Sequence, residues 1–65
     1  MEKVTLKMAR VKLGLTQDEM AKELGTSRVT YGKYEKYESP MRIDMAKKFS
    51  ELVKIPIDHI IFFEQ

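Results

Sequence analysis

Only Gly25 and Thr26 stand between a helical segment that opens at Thr16 and a serine, Ser27, able to cap the next helix. Thr16-Gln17-Asp18-Glu19 forms a capping box, in which the Thr16 hydroxyl accepts the Glu19 backbone N–H while the Glu19 side chain reaches back. Met20, Ala21 and Leu24 supply the inner face of this second helix, and Gly25 ends it after barely two turns. From Ser27 a third helix runs to about Lys36. Two short helices joined so tightly must cross steeply, and the remaining segments have to pack around that pair.

Gly14 and Ser39-Pro40 mark the other breaks. The first helix, about Thr5 to Leu13, carries Leu6, Ala9, Arg10 and Leu13 on one face, with Gly14 as its C-terminal cap. A fourth helix is expected from Arg42 to Val53, with Ile43, Ala46, Phe49, Leu52 and Val53 inward. A final short helix would begin at Pro56, whose ring fixes φ and whose missing N–H is not needed there. It turns Ile57, Ile60 and Ile61 inward. No repeat or low-complexity linker interrupts the chain. The expectation is an all-α, five-helix bundle containing a helix-turn-helix, one domain over residues 1–65.

A chain of 65 residues has a thin core, since folding at this size buries only about 60% of the surface the unfolded chain exposes. Disulfides, a metal or a partner subunit usually supply the missing stability. There is no cysteine, and His59 is the single histidine, so a partner chain is the natural source. Phe62 and Phe63 are the candidate dimer residues. Once Ile57, Ile60 and Ile61 close the core, two large rings remain beside Glu64 and Gln65. A second stripe on the first helix, Val4, Met8 and Val11, offers to hold one ring within the chain and leave the other for a partner.

Residues Met1 to Leu13 mix charges among the apolar residues and lack a secretion signal's apolar core, and no apolar run approaches a membrane span, so a cytoplasmic protein is expected. The net charge of +2 leans toward an anionic partner. Ser27, Ser39 and Ser50 have no plausible base near in sequence, and so small a bundle has little volume for a substrate cleft. Neither an enzyme, a cofactor, a metal nor a small-molecule ligand is expected.

At about 100° per residue, Arg28, Val29, Gly32, Lys33 and Lys36 share one arc of the third helix, opposite Thr30, Tyr31, Tyr34 and Tyr37. Any surface helix can show such charges. Gly32 is more telling, because glycine inside a helix costs roughly 0.5–1 kcal/mol against alanine and is useful where something approaches the backbone closely. Arg28 suits the O6 and N7 acceptors of guanine, and Val29 could touch a thymine methyl, though an ordinary exposed valine is the other reading. The tyrosines read as core and boundary residues rather than a base-stacking platform. Arg10 lies among Leu6, Ala9 and Leu13, where an unpaired charge is very unfavourable. Either it pairs with Glu35, tying the first helix to the third, or it snorkels to solvent.

The stretch Gly14-Leu15-Thr16-Gln17-Asp18-Glu19-Met20-Ala21-Lys22-Glu23-Leu24-Gly25-Thr26-Ser27-Arg28 resembles the Cro and phage-repressor (XRE) family of helix-turn-helix regulators. The resemblance continues through Lys33-Tyr34-Glu35, Pro40 and Ile55-Pro56-Ile57-Asp58. It implies a phage-repressor-like DNA-binding domain and a sequence-specific regulator of double-stranded DNA. With the homodimer expected at Phe62 and Phe63, a two-fold axis leads to a repressor on a near-palindromic operator, with the third helix of each copy in the major groove. The resemblance implies base-edge contacts from Arg28, Val29 and Lys33, backbone contacts from Gln17, Ser27 and Lys36, close packing at Ala21, and an Arg10–Glu35 ion pair. Gly32 and Val29 replace residues that are often polar in this family, and Lys36-Tyr37-Glu38-Ser39 lacks its common Asn-Gly turn. An autoregulating antitoxin and a protein-interaction module on the same scaffold are the rival readings; salt-sensitive duplex binding separates the second from the rest.

Overall fold

The structure, a computed structural model, describes residues 2–63; Met1, Glu64 and Gln65, the ends of the expected 1–65 domain, lie outside the described residues. In chain order the elements are β1 (Val4–Thr5), α1 (Leu6–Leu13), α2 (Gln17–Leu24), α3 (Arg28–Glu35), α4 (Ile43–Val53), a 3-10 turn (Ile57–His59) and β2 (Ile60–Ile61). Among the described residues no helix is long and apolar enough to cross a membrane.

Local chemistry accounts for each helix boundary. The Thr5 hydroxyl accepts the Met8 N–H at 3.1 Å, which places Thr5 ahead of α1 as its cap rather than inside it. At the start of α2 both halves of the capping box are made, Glu19 N–H to Thr16 Oγ1 at 3.1 Å and Thr16 N–H to Glu19 Oε1 at 2.8 Å. Gly14 and Gly25 close α1 and α2 at φ 87° and 77°, left-handed values at which an L side chain is strained. Ser27 caps α3 by accepting the Thr30 N–H. α4 has no side-chain cap of this kind, and its end bends through Lys54 at φ 58° while Ser50 Oγ donates to the Ile55 carbonyl.

Tyr31, Phe49, Leu6 and Met20 are the largest fully enclosed side chains, contributed by four different helices, so a single core sits where α1, α2, α3 and α4 meet. Ala21, almost wholly buried, is the small residue at the crossing of α2 and α3, and the Thr26 N–H returns to its carbonyl at 2.9 Å. Each enclosed large apolar side chain contributes roughly 1.5–3 kcal/mol by leaving water.

Among the described residues four α-helices form and the expected fifth does not: the segment after Pro56 makes only the 3-10 turn before extending as β2. β2 pairs in parallel with β1, Val4 opposite Ile60 and Thr5 opposite Ile61. Branched isoleucines lose side-chain freedom in a helix and fit a pleated surface, and an extended Val4-Thr5 needs a partner for its backbone groups. Three apolar residues expected inward face water: Leu13, Ile57 and, most of all, Ile43, which is 75% exposed. Met41, just ahead of α4, fills the core position instead, because Ile43 is the first residue of the helix and points out beyond its inner face. Met8 and Val11 are likewise exposed and hold neither C-terminal ring.

Candidate nucleic-acid interface

Three helices are joined beneath the outer face of α3 by one buried polar cluster. Arg10, near the end of α1, donates from Nε to Glu35 Oε2 at 2.5 Å and from Nη1 to the Leu15 carbonyl at 2.7 Å. Gln17, the first residue of α2, donates from Nε2 to Glu35 Oε1 at 2.9 Å. The paired side chains are only 11% and 5% exposed, so the snorkelling geometry does not occur. Burial is the strongest single influence on Glu35 and pushes its carboxyl up, yet the hydrogen bonds from Arg10 and Gln17, with the guanidinium charge, leave it below the usual range. Arg10 is held charged above its ordinary value, chiefly by the hydrogen bond to Glu35. The Tyr31 hydroxyl is buried beside this pair with no partner at hydrogen-bonding geometry among the described residues, and burial, then the Glu35 carboxylate, push its ionisation far above the ordinary tyrosine value.

Anchored in this way, α3 presents its other side to solvent. Gln17, Arg28, Val29, Gly32, Lys33, Lys36 and Glu38 line one shallow depression of about 310 Å³. Arg28, Lys33 and Lys36 make no ion pair among the described residues, so their charge is available to an outside anion. Val29 is 69% exposed beside Arg28. A methyl group built on Gly32 would meet nothing within 4 Å, so packing inside the chain does not explain the glycine.

Ser27 does not line that depression, and its hydroxyl is doubly engaged, accepting the Thr30 N–H and donating to Thr30 Oγ1 at 2.9 Å. Backbone N–H groups of the first turn of α3 are therefore the donors left at that end. Gln17 has one amide N–H committed to Glu35 and a second still free.

The helix-turn-helix family model matches residues 6–60, which takes in α1, the capped turn, α3 and its groove, and α4. The chain belongs to the Cro and phage-repressor type of helix-turn-helix family. It is accordingly a DNA-binding helix-turn-helix regulator. No match was found among curated protein sequences or solved structures.

Two features of this helix-turn-helix protein carry little sequence signal. Tyr37 Oη accepts the Leu6 N–H at 3.2 Å and donates to the Ile61 carbonyl at 2.6 Å, bonds that span nearly the whole chain and follow no local spacing. The C-terminal rings are also divided in a way that periodicity does not show. Phe62 is buried in its own chain, edge-on to Phe49 with centroids 6.3 Å apart, whereas Phe63 is 63% exposed. Met41, Ile43, Ala46, Ile57, Phe62 and Phe63 surround an apolar hollow of about 210 Å³.

Proposed function

We propose that this protein is a sequence-specific repressor that binds a near-palindromic operator in double-stranded DNA as a homodimer, with α3 in the major groove of each half-site. The observation that carries the reading is the groove on α3: three cations without an ion-pair partner among the described residues surround an exposed valine and a glycine that no contact among those residues requires. Arg28 and Lys33 would read base edges, Val29 a thymine methyl, and Gly32 would let the helix backbone approach the groove. Lys36, the free amide N–H of Gln17 and the first turn of α3 around Ser27 would hold phosphates, which position the protein without reading sequence. The buried Arg10–Glu35 pair serves orientation, fixing α3 against α1 and α2. Phe63, together with Ile43 and Ile57, is the surface offered to a second copy. Such a repressor would act in the cytoplasm.

Two substitutions separate base reading from phosphate binding. Arg28→Ala should relax preference at one base pair and cost roughly 1–3 kcal/mol, while Lys36→Ala should weaken all duplexes alike and lower the salt slope by about one. Binding isotherms on specific and random DNA at several salt concentrations provide the measurement. Equal losses on both DNAs for both variants would overturn the assignment.

A further inference from the structure

Tyr37 follows α3 and stands at φ 59°, the left-handed region that favours glycine, so something other than local preference holds a tyrosine there. Its half-buried ring packs against the core, and its hydroxyl joins two distant places: the Leu6 N–H, where β1 passes into α1, and the Ile61 carbonyl of β2. The residues after Ile61 are Phe62 and Phe63, and Tyr37 lines a hollow with both of them, Ser39 and Pro40. One side chain therefore links the exit of the helix that carries Arg28, Lys33 and Lys36 to the segment that carries the exposed Phe63.

We propose that Tyr37 is a positioning residue through which the C-terminal segment sets the placement of α3, so that pairing of two copies fixes the separation at which their α3 helices meet DNA. This inference rests on the operator-dimer reading above. The hydroxyl is the coupling group, because without it the ring still fills its place while the exit of α3 and β2 are no longer bonded to each other. Half-site binding by one copy uses α3 and the neighbouring Gln17 of α2, and does not depend on the link. Binding to two half-sites at a fixed spacing does.

The test compares wild type, Tyr37→Phe and Tyr37→Gly on an isolated half-site, on the selected palindrome, and on palindromes lengthened or shortened by one base pair, with folding checked by circular dichroism. Tyr37→Phe keeps the ring; Tyr37→Gly removes both the side chain and the left-handed strain and is the variant to rely on if the first folds poorly. Both should keep half-site affinity within about twofold. Both should lose about fivefold or more on the correctly spaced palindrome, the low end of ordinary coupling between sites, and should discriminate less against wrong spacings. Losses of equal factor on half-site and palindrome, or no loss in either variant, would overturn the role of Tyr37. Wild type binding paired and single half-sites equally would overturn the operator-dimer reading itself, and the Tyr37 coupling with it, before any variant is compared.

Discussion

Gly32 separates folding from binding at a single position. A Cβ there meets open space and the residue lies within a regular helix, so Gly32→Ala should stabilise the fold by roughly 0.4–1 kcal/mol through lost freedom of the unfolded chain. The same methyl would stand in the groove between Arg28, Val29 and Lys36, and should weaken specific DNA binding. Thermal unfolding and operator titration of one variant should thus move in opposite directions; a more stable protein with unchanged affinity would mean that DNA does not approach Gly32. Residues of this kind were legible from the helical wheel, because exposure on a helix follows directly from spacing. Tyr37 was not, since its left-handed φ and its two hydrogen bonds depend on where distant backbone comes to lie. Ile43 misled for a related reason: its spacing is that of an inner face, but it begins α4 and projects past the core.

At the level of elements, the joint between α1 and α3 is electrostatic and enclosed. Removing one partner of such a pair strands the other and costs about 3–5 kcal/mol. The pairing was legible because a lone arginine on an apolar face needs an acid, and Glu35 was the one at the right border of α3. Glu35 ionises below its usual range when folded, so its contribution is fully present above its unfolded pKa of about 4.3 and is lost as pH falls through the lower folded value. Stability should therefore decline on acidification below about pH 5, and Glu35→Gln, less stable at neutral pH, should show a flatter decline. Chemical denaturation at a series of pH values is the check; parallel pH profiles for the two proteins would place the acid sensitivity elsewhere. The missing fifth helix has the opposite character. Pro56 through Ile61 carries a plausible helix start, but its outcome depends on pairing with Val4 and Thr5 at the other end of the chain, which no window of local sequence contains.

Across the whole molecule, three of the apolar residues left outside the core collect in one place. Ile43, Ile57 and Phe63 are exposed around a hollow floored by Phe62 and Met41, which is the surface a thin-cored chain would cover with a second copy. Phe63→Asp should leave the monomer folded, because the ring lies outside the core, and should weaken self-association at least about tenfold, given roughly 1.5–3 kcal/mol for burying a phenylalanine. Sedimentation equilibrium of both proteins measures this, and identical association would remove Phe63 from the interface. For two copies paired at this surface to meet successive half-sites, their α3 helices must stand about 34 Å apart, one turn of duplex DNA. Selection of binding sites from random duplexes tests the central claim most directly. The expected result is enrichment of a near-palindrome whose half-sites are centred one helical turn apart, bound at about 10⁻⁸ to 10⁻¹¹ M with strong salt dependence. Recovery of no preferred sequence, with binding that is weak and indifferent to the duplex offered, would contradict it.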